Sequence, residues 1–96
     1  MKAMYARPIR VTASGTAIDR PTRVTALTVN AVDQDCIVNL RDGGSAGAIY
    51  WTVEADNASS SPTQSWNPGL NFLRNVYVEF VTKGNNSSAC IAVIEP

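Results

Sequence analysis

The residues from Asp42 to Gly47, Asp-Gly-Gly-Ser-Ala-Gly, are the stretch whose types and spacing most invite chemistry. A glycine-rich loop can cradle a phosphate on its backbone N–H groups. That use needs a following Lys-Ser/Thr pair and a helix, whereas here the run leads into the β-branched, aromatic segment Ala48-Ile49-Tyr50-Trp51-Thr52-Val53. The reading left is a connection between strands, in which glycines take positive φ and Asp42 or Ser45 hydrogen-bonds the local backbone. Asp33, Asp35 and Asp42 make oxygen-rich turns, but Ca²⁺ loops need more carboxylates at regular spacing, so no metal is expected. Among Asp19, Asp42, Glu54, Asp56, Glu79 and Glu95, no spacing singles out a carboxylate pair for glycoside cleavage.

The chain has no histidine, which removes the commonest general base and the commonest transition-metal ligand. Its two cysteines, Cys36 and Cys90, are too few for a structural zinc site. Each sits in an apolar alternating run, where a free thiol behaves as a small hydrophobe. No catalytic residue, cofactor or metal is therefore expected. The remaining candidates are aromatic. Tyr50, Trp66 and Tyr77 would suit a glycan platform or a contact with a partner, with Tyr50 and Tyr77 reading outward. Trp51 shares its parity with Ile49 and Val53 and reads as core.

The elements that must position these residues are strands. No segment holds a period of 3.6, and period-2 runs recur between turn signals. A first strand runs through Ile9 to Thr12. A second, Thr22 to Val32, puts Leu27, Val29 and Ala31 on one face. Val24 falls on the opposite parity, which predicts a bulge near Thr25 or Ala26. Asp33-Gln34-Asp35 turns into Cys36 to Arg41, with Cys36, Val38 and Leu40 on one face, and Ala48 to Ala55 follows the glycines. Pro62 to Trp66 reads as a short edge strand because it starts with proline. Asn67-Pro68-Gly69 is a turn signature, and the next strand, Asn75 to Thr82, turns Val76, Val78 and Phe80 inward. Lys83 to Asn86 reads as a hairpin turn into Ser88 to Glu95. That last strand is apolar on both faces, so it is either central or covered. Asn57, Asn85 and Asn86 begin glycosylation sequons but read as loop residues.

These 96 residues suit one domain, with a net stability of roughly 5–14 kcal/mol. Short strands at this spacing predict an all-β fold, a single antiparallel sandwich, without separating jelly-roll from immunoglobulin-like topology; the cysteines and tryptophans do not form a Cys…Trp…Cys framework of the antibody kind, and jelly-roll-like is expected more than immunoglobulin-like. Residues 22–96 read as the sandwich, and residues 1–21 as an N-terminal arm or first strand, able to reach ~70 Å if fully extended. Eight basic and eight acidic residues cancel, so nucleic acid is not an expected partner. No segment has signal-peptide or membrane-spanning character, so synthesis in a cytoplasm and no membrane partner are expected. Charged residues make up 17 % of the chain, a low share that favours a surface covered by neighbours.

Several stretches together resemble a group of small β-proteins of tailed-phage virions. They are Val38-Asn39-Leu40-Arg41-Asp42-Gly43, Ile49-Tyr50-Trp51, Pro68-Gly69-Leu70-Asn71-Phe72, Val76-Tyr77-Val78 and Ile91-Ala92-Val93-Ile94. The group carries Gly just before its "aliphatic-Tyr-Val" strand, where this chain has Asn75, a residue that tolerates the same backbone conformation. The resemblance implies a non-enzymatic virion component made in the host cytoplasm: a capsid decoration or cement protein, a trimer, bound to the major capsid protein or another virion protein. Its alternative is a tail or fibre module that recognises a host-surface glycan. Contacts with partners would then come from Met4, Tyr5, Arg7, Arg10, Arg20 and Arg23 of the N-terminal part, with Tyr50, Trp66 and Tyr77.

Overall fold

Alternation of small β-branched and polar residues favours strands over most of this chain, and the computed structural model, which describes residues 7–56 and 62–94, has eight of them. They are β1 (Arg7–Val11), β2 (Gly15–Ile18), β3 (Thr22–Asn30), β4 (Cys36–Asp42), β5 (Ala48–Ala55), β6 (Thr63–Phe72), β7 (Val76–Thr82) and β8 (Ser88–Ile94). Two antiparallel four-stranded sheets, ordered β1-β8-β3-β6 and β2-β7-β4-β5, pack face to face. The protein is a β-sandwich. Its pairings nest: β4 with β5, β3 with β6, β2 with β7 and β1 with β8. The chain is in effect one long hairpin, folded over so that its successive rungs fall alternately in the two sheets. The tip of that hairpin is the Asp42–Gly47 turn.

The core follows from the period-2 pattern. Leu27, Val29, Val38, Leu40, Val76, Val78, Ile91 and Val93 all point between the sheets and are buried. β8 lies between β1 and β3, which explains its apolar character on both faces: it is central. The expected bulge is present, since the register of β3 shifts between Val24 and Ala26 against both β6 and β8.

Several expectations are corrected. Arg7–Val11 pairs with β8 and Gly15–Ile18 pairs with β7, so from Arg7 onward the segment read as an arm or first strand is two strands, one in each sheet. Met4 and Tyr5 lie outside the described residues. Gly15 to Ile18 was hard to see as a strand because its side chains are too small to give a strong alternation. Asn67-Pro68-Gly69 does not turn the chain round. It lies inside β6, where Trp66 to Gly69 bulge out opposite Thr25, with Gly69 at φ +135° and its Cα against the Arg23 side chain. The edge position expected for Pro62 to Trp66 holds, on a longer strand.

A further correction is at Lys83 to Asn86. This segment is no hairpin, because β7 and β8 lie in different sheets. It crosses the sandwich and is tied to the β3–β4 crossing by Ser87, whose hydroxyl accepts from the backbone N–H of Val32 (2.9 Å) and Gly84 (3.3 Å) and donates to the Val32 carbonyl (3.1 Å). A side chain at Gly84 would strike that same carbonyl. Ser87 is 1 % exposed, so no solvent replaces these bonds. Ser87→Ala is expected to destabilise the protein by about 1–3 kcal/mol in urea unfolding, because it leaves buried backbone groups unpaired.

Candidate functional site

The side-chain chemistry concentrates at the hairpin tip. Asp42 ends β4 beside the β6–β7 connection, and its carboxylate accepts three successive backbone N–H groups there: Leu73 (3.0 Å), Arg74 (2.9 Å) and Asn75 (3.3 Å). A fourth donor, the Tyr50 hydroxyl, reaches it at 2.9 Å. Asn75 answers in the other direction, since its Oδ1 accepts the N–H groups of Gly43 and Gly44, both at 3.1 Å. Two loops about 30 residues apart in the sequence thus bind each other reciprocally, each through one side chain. The glycine amides that could have held a phosphate are taken by Asn75. The concave set of N–H groups suited to an anion lies instead at Leu73–Asn75, and the anion is Asp42.

Glycine is required here for two reasons. Gly43 and Gly44 sit at φ +103° and +88°. A side chain on Gly47 would meet the Asp42 carbonyl oxygen at 2.1 Å, within the turn closed by Gly47 N–H to Gly44 O.

Protonation follows the geometry. Partial burial pushes the Asp42 carboxyl up, but the Leu73 and Arg74 N–H groups, the Tyr50 hydroxyl and the Asn75 N–H outweigh it and hold the group below its ordinary 3.8. Donation to Asp42 raises the Tyr50 hydroxyl above its ordinary 10.0, helped by burial and the Asp42 charge. On the outer face of the same sheet, Glu79 accepts from the Asn39 amide (2.8 Å) and from Arg41 Nε (3.0 Å), which lower its pKa. Thr52 donates to Asn39, and Arg41 Nη1 donates to the Gly47 carbonyl at 2.7 Å. The network on this face therefore leads back to the hairpin tip. Among the described residues, no group of three His, Cys, Asp or Glu side chains could hold a metal ion.

The aromatic candidates do not gather on one surface. The register of β5 shifts against β4 between Leu40 and Arg41, so that Leu40 faces Trp51 while Arg41 faces Ile49, and Tyr50 is the extra residue. This inverts the expected parity. Tyr50, which read as outward, packs on the core with its ring 4.9 Å from that of Phe72, and Ile49 turns out to 48 % exposure. Trp51 keeps its inward side but stands on an edge strand, so it is 38 % exposed, not core. Its ring meets Trp66 of β6 edge-on at 5.4 Å, and the two close the open side of the sandwich. Trp66 is half-buried against the core, and its Nε1 is buried without an acceptor. Tyr77 alone faces outward, half-buried, across from Arg41 and Thr16. Sequence reading missed the Asp42–Asn75 exchange, and its one signal was the pairing of a DG turn with an Asn opening another strand.

Arg7, Arg10 and Arg23 all fall on strands of the β1-β8-β3-β6 sheet, and those strands carry no Asp or Glu. Arg20 sits in the β2–β3 connection. Arg10 and Arg23 face the outer side, opposite Cys90 and Ile94 respectively. Cys36 is buried inside β4, and burial raises its thiol pKa, with Lys83 pulling the other way. Cys36 and Cys90 are both free, one facing the core and the other the outside of the opposite sheet. No described helix is long and apolar enough to cross a membrane. Comparison with protein-family models, with curated protein sequences and with solved structures finds no match.

Two outcomes follow for the hairpin tip. Asp42→Ala should lower stability by about 2–3 kcal/mol, since it strips an ionised acceptor from several N–H groups, and Tyr50→Phe should lower it by less; urea denaturation at neutral pH measures both. The pH dependence has a defined sign. A carboxylate whose folded pKa is depressed stabilises the fold above about pH 4 and loses that contribution as pH falls through the depressed value. Asp42→Asn should therefore flatten the acid limb of a stability–pH curve, leaving the share due to Glu79. The raised Tyr50 hydroxyl stabilises below about pH 10 and loses its contribution as pH climbs above that, so Tyr50→Phe should flatten the alkaline limb.

Proposed function

We propose that this protein is a non-enzymatic structural component of a phage virion, a decoration or cement protein that works as a homo-oligomer against a capsid surface. The observation that carries the reading is the strand order. Two four-stranded antiparallel sheets, ordered β1-β8-β3-β6 and β2-β7-β4-β5 with nested pairings, suit the jelly-roll reading of this sandwich, and jelly rolls are used by viral capsid proteins. Fold by itself does not define function, so the surface has to agree. The outer face of the first sheet is built of small side chains, among them Ala26, Thr28, Cys90 and Ala92, with Arg10 and Arg23 beside them. Such a face can lie flat on a neighbour with few charges to desolvate, and two arginines suit an acidic partner. The chain's strongest polar groups, around Asp42 and Glu79, are spent on one another, which leaves them little to offer a substrate.

A glycan-binding tip is not favoured, because Tyr50 and Trp66 pack on the core and Tyr77 stands apart from them. Co-sedimentation with intact phage capsids through a density gradient tests the virion reading. Binding is expected, and the Arg10→Glu, Arg23→Glu double variant should reduce the bound fraction severalfold. Protein that stays at the top of the gradient at every ratio would sink the proposal.

A further inference from the structure

An aspartate followed by glycine is open to a rearrangement of its own backbone, because no side chain on the glycine hinders its nitrogen from attacking the aspartate carboxyl. This chain has one Asp-Gly pair, Asp42-Gly43, and no Asn-Gly. The reaction needs only water. The Gly43 nitrogen bonds to Cγ of a protonated Asp42, the carboxyl hydroxyl and the nitrogen's proton leave as water, and a five-membered succinimide ring closes. Water then opens the ring at one of its two carbonyls. Breaking the new Cγ–N bond restores aspartate. Breaking the former peptide bond instead leaves the chain running through Cβ, as isoaspartate.

At the hairpin tip each requirement of this reaction is opposed by a contact. The attacking nitrogen is engaged, since Gly43 N–H donates to Asn75 Oδ1 at 3.1 Å. The carboxyl must be protonated to lose its hydroxyl, yet the N–H groups of Leu73, Arg74 and Asn75 and the Tyr50 hydroxyl hold it ionised and aim it at the β6–β7 connection. Ring closure needs Cγ and the next nitrogen on the same side of the Asp42 Cα–C bond. Asp42 pairs with Ala48 as the last residue of β4, and an extended backbone turns that nitrogen away from the side chain. Water, in contrast, is at hand: Asp42 and Gly43 are half-buried, and Ser45 and Ala46 are exposed.

We propose that Asp42-Gly43 is a latent isoaspartate site, held unreactive by the clamp between the hairpin tip and the β6–β7 connection and released when that clamp opens. The product cannot restore the clamp. In isoaspartate the carboxylate sits directly on Cα, one carbon short of its former reach, and the backbone gains an atom at the turn from which the pairing of β4 with β5 starts. A tip that has opened and converted therefore stays open.

Full-length protein kept for weeks at neutral pH, then digested and mapped by electron-transfer mass spectrometry, reads the isoaspartate formed at residue 42. The folded chain is expected to convert about tenfold or more slowly than the same chain unfolded in guanidinium, because only the opened tip reacts. Asn75→Ala, which frees the Gly43 nitrogen, should raise the folded-state rate severalfold. Ser87→Ala, which weakens the other end of the sandwich, should leave that rate unchanged, because the opening concerned is local. Equal rates in the folded and unfolded chain, an Asn75→Ala rate no faster than that of the unaltered protein, or equal acceleration by both variants would overturn the proposal. The comparison of folded with unfolded chain needs no variant, so it decides even if Asn75→Ala fails to fold. The site does not rest on the virion reading, which stands or falls on capsid co-sedimentation.

Discussion

The sandwich depends on one carboxylate. Asp42 stands where the chain turns back at the tip of its long hairpin, and it accepts the N–H groups of Leu73, Arg74 and Asn75 from the β6–β7 connection. With Asn75 returning two bonds to Gly43 and Gly44, the tip is fixed to the β6–β7 connection before any core residue is counted. The register of β5 against β4 starts from that turn. So does the bulge that sends Tyr50 inward, where its hydroxyl closes the same cluster. A misplaced tip would shift every rung below it, because strand pairing transmits a one-residue slip to all side chains on both faces. The ionised state of Asp42 matters for the same reason: hydrogen bonds to a charged acceptor are about twice as strong as neutral ones.

The opposite end of the sandwich is fastened more economically. Ser87 ties the β7–β8 crossing to the β3–β4 crossing through the backbone of Val32 and Gly84. Each end therefore has a side chain that satisfies backbone groups from a segment distant in sequence, and between them lies an ordinary aliphatic core. The aromatic residues do something else. Trp51 with Trp66 and Tyr50 with Phe72 line the side where β5 and β6 leave the two sheets open. They seal a seam, which is why they make a poor platform for a ligand.

Much of this was legible from residue order. The parity conflict at Val24 announced the bulge, and the two-sided apolar character of Ser88 to Ile94 announced a central strand. The alternation in Cys36 to Arg41 and Val76 to Phe80 set the inner face correctly. What escaped notice has a common cause. Asp42 and Asn75 are 33 residues apart, and no local pattern says that a turn aspartate will serve another loop. Lys83 to Asn86 carries the same turn chemistry whether the chain doubles back in one sheet or crosses to the other. At Tyr50, one extra residue in β5 reversed a parity that period-2 reasoning could only extend.

The nested pairing also governs how the chain must fold. Apart from the β4–β5 rung, each pairing closes a loop that contains the rungs inside it, and β8 supplies the partner for both β1 and β3. The first sheet cannot be completed until residues 88–94 have left the ribosome, so β1 waits for nearly the whole described chain to be synthesised. Contacts between residues so distant in sequence form slowly, since the entropy of closing a large loop is lost before the pairing is gained. During that interval the bare edges of β3 and β1 are open to wrong partners. The proline in β1 and the bulge in β3 then guard the nascent chain as well as the finished sandwich.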